Sequence, residues 1–316
     1  MHHPTLLDLD HDITRIDTTL SRDGMAACYL IRSGKAAAFI DTGTNYSVPN
    51  MLLALAEQDL TPADVRYIIP THVHLDHAGG AGEMMRQCPN AELLIHPRGA
   101  PHMIDPSRLV AGATAVYGEK GLRKTYGEIL PITENRVLTP DDGETYDLDG
   151  RPLLFLHTEG HAKHHFCIYD ERSNGFFTGD TFGLSYREFD SSCGAFVLPT
   201  TTPVQFDPEA WQLSLQRMMS YGPERMYLTH YGMVQDVKTL ATDLSNRLRD
   251  YVSIARQVEA GPQRHTQLHD ALMQHALSGL QRHGCQLAEA KLRELLAMDI
   301  ELNAQGIEVW LDRAAR

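Results

Sequence analysis

The sequence of residues 71–80 is Thr-His-Val-His-Leu-Asp-His-Ala-Gly-Gly, in which three histidines and one aspartate fall within six positions. These residues follow the apolar, β-branched run 65–69, which predicts a buried strand. His72 and His74 are two positions apart at the end of that strand, so their imidazoles are expected to project toward the same side. Asp76 and His77 come where the chain turns into the next helix and face a second point. One short turn is therefore predicted to offer ligands to two metal ions.

Three later strand ends carry further candidate ligands. His161, Asp180 and His230 each follow an apolar run that predicts a strand. Asp41 follows the predicted strand 36–40 and is either a turn residue or a carboxylate that holds a ligand imidazole in one tautomer. A dinuclear hydrolytic site needs about this set of side chains: imidazoles for one ion, histidine and carboxylate for the other, and one carboxylate between them.

Composition narrows the function classes. The formal charge of −13 makes the surface acidic, which disfavours nucleic acid and anionic membrane surfaces as partners. Charged residues make up 22% of the chain and hydrophobic residues 42%, as in ordinary globular proteins. The five cysteines show no paired spacing, and no apolar run has the length of a signal core or a membrane span. We therefore expect a cytoplasmic protein with reduced thiols.

The pattern along the chain predicts an α/β domain over residues 1–235 and a helical C-terminal extension over 236–316. Residues 97–130 are less regular and are interpreted as an insertion in the first domain, and 182–206 as a long loop. The insertion and the extension are expected either to supply an apolar lining for the metal pocket or to pack the helices together, and the extension could also form a homodimer contact.

Five short motifs occur in the order and spacing of the metallo-β-lactamase fold superfamily, which the chain resembles over roughly residues 10–235. They are Asp41-Thr42-Gly43, the His-x-His-x-Asp-His turn, Gly160-His161, Gly179-Asp180 and Thr229-His230. The resemblance implies a four-layer αββα sandwich with the metals at one edge of its two sheets. The predicted helical extension would follow that sandwich.

The resemblance also implies three ligand roles: an ion held by imidazoles, a second held by a mixed set, and a carboxylate shared by both. Carried over by position, these are His72, His74 and His161 for the first ion, Asp76, His77 and His230 for the second, and Asp180 as the bridge. Asp76 and Asp180 would also be the catalytic carboxylates. Tyr186 and Tyr231 are candidate substrate-binding residues, with packing in the loop as the alternative.

The intact Asp180 and the absence of a cysteine ligand resemble the glyoxalase II and lactonase branches of the superfamily more than true β-lactamases. The implied function is a dinuclear hydrolase that cleaves an ester-like bond (a thioester, a lactone or a carboxylic ester) with a metal-bridging hydroxide. We expect two divalent ions per chain, zinc first with iron or manganese open, and a small-molecule substrate.

The sequence departs from the family pattern at two places, so the substrate of those branches cannot be assigned to this chain. Glu159 stands where the family usually has proline, and residues 181–187 do not follow the usual glyoxalase II pattern. Two other functions fit the same fold. One is a phosphodiesterase, which the acidic surface disfavours, and the other is a di-iron redox or regulatory protein, which His74 disfavours because flavodiiron proteins have a glutamate at that position.

Overall fold

The computed structural model describes residues 5–201 and 204–315, with the backbone alone at residues 116 and 117. Residues 202 and 203 of the predicted loop 182–206 lie outside this description, as do residues 1–4 and 316 of the two predicted domains. In the described ranges, no helix combines the length and the apolar character needed to cross a membrane.

Thirteen strands of the described chain form two sheets. The first sheet has the order β1 to β7: β1 Leu6–Asp8, β2 Ile13–Asp17, β3 Ala27–Ser33, β4 Ala36–Ile40, β5 Val65–Ile69, β6 Glu92–Leu94 and β7 Val137–Leu138. The second sheet has the order β13 to β8: β8 Thr145–Asp147, β9 Pro152–His157, β10 Phe166–Asp170, β11 Gly175–Gly179, β12 Arg225–Leu228 and β13 Gly232–Val234. Strands β4 to β7 pair in parallel, and so do β11 and β12.

Nine helices surround these sheets in the described ranges: α1 Val48–Glu57, α2 Leu75–Ala78, α3 Ala81–Gln87, α4 Ala100–Ile104, α5 Ser107–Tyr126, α6 Pro208–Met219, α7 Val237–Gln257, α8 Arg264–His283 and α9 Glu289–Ala314. The helical path of α5 is interrupted at Gly118, where φ is +68°. Helices α7 to α9 form the predicted extension. The division of the chain into domains at residue 235 stays a prediction.

The first sheet is buried on both faces because its strands alternate between two cores. Tyr29 and Ile31 of β3 face the second sheet and join the main core, which includes Phe155 and Phe177. Their neighbour Leu30 faces the other way, into a core shared with α1 and α3. Since side chains on a strand alternate with a period of two, one strand serves both cores. The predicted αββα sandwich with C-terminal helices is confirmed.

Of the two roles left open for the insertion and the extension, packing of the helices accounts for the apolar residues of α8 and α5. Leu268, Leu272 and Met273 of α8 are buried in the main core. In the insertion, Leu109 and Val110 of α5 pack around a small cluster that contains Leu75, Leu122 and Tyr126. Leu75 begins α2 directly after His74. The insertion therefore packs against the helix that follows His74 in the ligand turn.

Three short strands were missed by the sequence prediction, and one predicted helix was divided. Strands β1, β7 and β13 are two or three residues long and lie at sheet edges, where alternation is too brief to detect. The helix predicted after the ligand turn separates into α2 and α3 at Gly79-Gly80. A Cβ on Gly80 would lie 2.7 Å from the carbonyl oxygens of Thr42 and Thr44, so this contact requires a glycine.

Backbone hydrogen bonds join the two sheets at the edge where the candidate ligands lie. The amide of Phe166, which begins β10, donates to the Thr71 carbonyl at 3.1 Å, and the amide of Ala27, which begins β3, donates to the Thr229 carbonyl at 2.8 Å. Each bond ties a strand of one sheet to a ligand-bearing turn of the other. The ligands therefore sit in a backbone frame that both sheets stabilise.

Candidate metal centre

The first predicted ligand group assembles as the sequence implied. The ring nitrogens His72 Nε2 and His161 Nε2 lie 2.7 Å and 3.1 Å from His74 Nδ1. Asp180 Oδ2 lies 3.3 Å from His161 Nε2. His72 follows β5, His161 follows β9 and Asp180 follows β11, so three strand ends converge on one point. These four side chains could hold a metal ion.

The second predicted group lies beside the first. Asp76 Oδ2 is 3.5 Å from His77 Nε2 and 3.3 Å from His230 Nε2. Asp180 Oδ1 is 3.2 Å from the same His77 nitrogen and 3.6 Å from that of His230. The two oxygens of Asp180 therefore face different groups, which is the arrangement that a bridging carboxylate requires.

The spacing of these atoms suits small cations. Donor atoms about 2.0–2.2 Å from a tetrahedral Zn²⁺ are separated from one another by about 3.3–3.6 Å. The distances across the second group, 3.2–3.6 Å, match this edge length, whereas His72 Nε2 and His74 Nδ1 of the first group are closer, at 2.7 Å. His77 Nε2 and Asp180 Oδ1 are buried and have no hydrogen-bond partner in the described structure. Buried polar atoms are normally satisfied, so this pair fits a position at which both atoms bind a cation.

The outer nitrogens of four imidazoles are held by oxygen atoms. His161 Nδ1 donates to the Thr200 carbonyl at 2.6 Å, and His230 Nδ1 donates to the Met25 carbonyl at 2.9 Å. His77 Nδ1 lies 2.7 Å from Asp41 Oδ2, and His72 Nδ1 lies 3.2 Å from Thr71 Oγ1. In neutral imidazoles a proton on the outer nitrogen leaves the inner nitrogen as a lone-pair donor. All four Nε2 atoms therefore face the centre, and in the neutral imidazole each of them is the nitrogen available to a metal.

Asp41 performs the orienting task that was one of its two predicted roles. It is 1% exposed and accepts four hydrogen bonds, from the Thr71 amide and hydroxyl, from His77 Nδ1 and from the Thr229 hydroxyl. The Thr71 and Thr229 bonds connect Asp41 to the turns that carry His72 and His230. One carboxylate thus holds both ligand-bearing turns, 71–80 and 229–230, in place.

Asp41→Asn is expected to weaken Zn²⁺ binding at the second group about 10- to 100-fold, the effect typical of losing a carboxylate that orients a ligand. An asparagine offers one oxygen to four donors, and its amide hydrogens would face other donors. Competition with a chromophoric chelator measures the affinity. Asp59→Asn is the matched control, because Asp59 is exposed and has φ +53°, close to the +56° of Asp41. Equal Zn²⁺ affinity in both variants would contradict the orienting role.

The electrostatics differ between the two groups. Burial lowers the pKa of His72, His74 and His161, which keeps these imidazoles neutral. Burial opposes a charge on His230 as well, but the carboxylates of Asp180 and Asp76 outweigh it and raise its pKa to about 9. The second group therefore favours positive charge, and either a proton or a metal cation can supply it.

Residues beyond the predicted set position the bridge. His165 Nε2 accepts a hydrogen bond from the Asp180 amide at 3.2 Å. Gly179, at φ +46°, lets this turn approach the ligand turn, since a Cβ there would lie 2.4 Å from Thr71 Oγ1 and 2.6 Å from His165 Nε2. The carbonyls of Thr200 and Met25 were missed because a main-chain oxygen leaves no signal in the sequence.

The two candidate substrate-binding tyrosines are buried, and carboxylates accept their hydroxyls. Tyr231 is fully buried and its hydroxyl donates to Asp17 at 2.8 Å. Tyr186 is 1% exposed and its hydroxyl donates to Asp299 of α9 at 3.1 Å. Two of the seven candidate ligands are half-buried, namely His74 and Asp76, whose side chain is 26% exposed, and the other five are buried. Water and substrate can therefore reach the centre on the side of His74 and Asp76.

Comparison with solved structures supports the fold. A metallo-beta-lactamase family protein from Thermus thermophilus superposes with a TM-score of 0.68 at 20% identity. The alignment covers 98% of this chain and 95% of that chain, so it includes the C-terminal helices.

Comparison with curated sequences gives distant relatives. The metallo-beta-lactamase fold-containing protein ST1585 of Sulfurisphaera tokodaii is 27% identical over 214 residues, which are 66% of this chain and 74% of that protein. An atrochrysone carboxyl ACP thioesterase of Aspergillus fumigatus is 25% identical over 224 residues, which are 70% of this chain but 41% of the fungal protein. The chain thus spans less than half of that thioesterase.

A sequence model of the metallo-beta-lactamase superfamily matches residues 21–230. The hydrolase names among the relatives support the prediction of a metal-dependent hydrolase. Because the match contains both ligand groups and extends over most of the 316 residues, this chain belongs to the metallo-β-lactamase superfamily.

Proposed function

We propose that this protein is a dinuclear metal-dependent hydrolase of an ester-like bond in a small molecule, namely a thioester, a lactone or a carboxylic ester. The observation that carries the proposal is the position of Asp180, whose two oxygens face the two ligand groups at 3.2–3.3 Å. A carboxylate shared in this way serves two ions at once. Zn²⁺ is the first choice for a site of imidazoles and carboxylates, and Fe or Mn also fit these ligands.

The chain's own residues prepare the site for hydrolysis. Hydrogen bonds on their outer nitrogens orient His72, His77, His161 and His230, so their free nitrogens are in place before substrate arrives. When bound, paired divalent ions supply an activated water near neutral pH and polarise a carbonyl oxygen. Burial of the other five candidate ligands limits access to the side of His74 and Asp76, which restricts the direction from which a carbonyl can approach.

The choice of an ester-like bond has two supports. The formal charge of −13 disfavours polyanionic substrates such as nucleic acids. The thioesterase name of the Aspergillus fumigatus relative points to attack at an acyl carbon. An acyl substrate needs a polarised carbonyl and a nearby nucleophilic water, and two adjacent ions serve both needs.

The test is a substrate panel on protein that has been stripped of metal and reloaded with a measured amount of Zn²⁺. The panel contains an acyl thioester, a γ-lactone, a p-nitrophenyl carboxylic ester and bis-p-nitrophenyl phosphate. We expect Zn²⁺-dependent hydrolysis of at least one acyl substrate, with kcat/KM well above that for the phosphodiester. Turnover of the phosphodiester alone, or turnover that does not depend on the metal, would contradict the proposal.

A further inference from the structure

Helix α9 contacts the segment 199–201, which includes the carbonyl that orients the predicted ligand His161. Helix and segment are about 100 residues apart in sequence. Asn303 of α9 is 2% exposed and contacts the segment 199–201. Its Oδ1 accepts from the Thr201 amide at 2.5 Å and from the Thr201 hydroxyl at 3.1 Å, and its Nδ2 donates to the Pro199 carbonyl at 3.0 Å. The Thr201 hydroxyl also lies 3.1 Å from the Asn303 carbonyl. One side chain therefore fastens the backbone on both sides of Thr200.

Thr200 is the residue that orients His161. Its carbonyl accepts from His161 Nδ1 at 2.6 Å, which directs the unprotonated Nε2 toward the first ligand group. The Thr200 carbonyl shares a peptide unit with the Thr201 amide, and the Pro199 carbonyl belongs to the peptide unit before it. Asn303 bonds both of these groups, so it fixes the two peptide units on either side of the Thr200 Cα and with them the direction of the Thr200 carbonyl. The path from α9 to the predicted metal ligand is continuous: Asn303, the Thr200 carbonyl, His161.

We propose that Asn303 is a positioning residue for the metal centre, acting through the Thr200 carbonyl on His161. The inference rests on the proposed function in taking His161 as a ligand of the first ion. It makes the C-terminal helix a part of the centre, beyond its contribution to the core. Asparagine suits the task because its amide both accepts and donates, and the segment 199–201 presents an amide and a carbonyl to it.

The experiment measures Zn²⁺ affinity of the full chain by chelator competition. Asn303→Leu keeps the branching at Cγ and the number of side-chain heavy atoms, and it removes every side-chain hydrogen bond to the segment. We expect one of the two Zn²⁺ sites to weaken about 10- to 100-fold while the other is unchanged. Asn303→Asp keeps the acceptor for Thr201 and loses the donor to Pro199, so its effect is expected to be smaller. In NMR spectra of ¹⁵N-histidine-labelled protein, the Nδ1 proton of His161 should shift or exchange faster in Asn303→Leu.

Ile307→Ala is the matched structural control. Ile307 lies one turn further along α9, is fully buried and belongs to the main core. It is expected to lower stability without changing Zn²⁺ affinity. If Asn303→Leu does not fold, the same measurements are made on two other variants. One is Asn303→Asp, and the other is Thr201→Val, which removes the hydroxyl bonds to Asn303.

Two results would overturn the inference: Zn²⁺ affinity equal to wild type in the folded Asn303 or Thr201 variants, or an equal loss in Ile307→Ala. The outcome is separate from that of the substrate panel. Wild-type protein that binds two Zn²⁺ ions but hydrolyses no ester would defeat the proposed function and leave the role of Asn303 to be decided by affinity. Wild-type protein that takes up no Zn²⁺ would overturn both.

Discussion

Asp180→Ala is expected to abolish binding at both Zn²⁺ sites and to lower kcat/KM for ester hydrolysis by about 10³-fold or more. Its Oδ2 belongs to the first ligand group and its Oδ1 faces His77 and His230 of the second. Removal of the carboxylate takes one ligand from each group and also removes the negative charge between two cations. Zn²⁺ content after gel filtration and initial rates on the best panel substrate measure the two effects.

Two further variants make this result specific to the bridge. Asp180→Asn keeps the volume and removes the charge, so it should lose most of the metal as well. Asp190→Ala removes an exposed carboxylate that pairs with Arg187 at 3.3 Å, and it should keep two ions and full activity. Retention of both ions and of wild-type hydrolysis in Asp180→Ala would show that the bridge assignment is wrong.

Arg151→Met is expected to lower the free energy of unfolding by about 3–5 kcal/mol, the cost typical of breaking a buried ion pair from one side. Arg151 and Asp170 both have fully buried side chains, and two parallel bonds of 2.9 Å and 2.6 Å join them. The other arginine nitrogen donates to the carbonyls of His11 and Arg32 at 2.8 Å and 3.0 Å. This guanidinium therefore ties the second sheet to the first, and its loss leaves a buried carboxylate without a partner.

The pair also predicts a pH dependence. Burial raises the pKa of Asp170, but the hydrogen bond and charge of Arg151 outweigh burial and hold that pKa below its usual value. A carboxylate with a lowered folded pKa stabilises the protein above its unfolded pKa of about 3.9 and loses that contribution as pH falls through the folded pKa. The stability difference between wild type and Arg151→Met should therefore narrow in acid.

Urea unfolding followed by circular dichroism measures both effects. Arg172→Met is the control, because Arg172 is 40% exposed and its pair with Asp12 should contribute only about 0–1 kcal/mol. The double variant Arg151→Met, Asp170→Leu should recover much of the loss, since it leaves no buried charge unpaired. A loss in Arg151→Met no larger than in Arg172→Met would contradict the assigned role of the pair.

The ligand set could be predicted from sequence because it is local. His72, His74, Asp76 and His77 lie within six positions, and the strand period of two and the turn after it determine which imidazoles share a side. His161, Asp180 and His230 were identified because each follows an apolar run, and the ends of such strands meet at one sheet edge. Their order and spacing then indicated the superfamily.

The surroundings of the ligands could not be predicted in the same way. The Thr200 and Met25 carbonyls, which orient His161 and His230, belong to every residue type and carry no pattern. Asn303 and Asp299 looked like ordinary polar positions of an amphipathic helix. Only the packing of α9 against residues 186–201 gives them partners, since those contacts span more than 100 residues of sequence.

The sequence alone predicted the strands, the helical extension and the seven candidate ligands, because alternation, helical spacing and strand-end motifs are properties of short segments, and the resemblance to the superfamily implied the sandwich. Tertiary structure decided that the two oxygens of Asp180 face different ligand groups, that Tyr186 and Tyr231 bond to Asp299 and Asp17, and that the apolar residues of α8 pack into the core. The physical reason is directional: a hydrogen bond or a shared ligand depends on the relative position of atoms from distant segments, and that position exists only once the two sheets and the helices have packed.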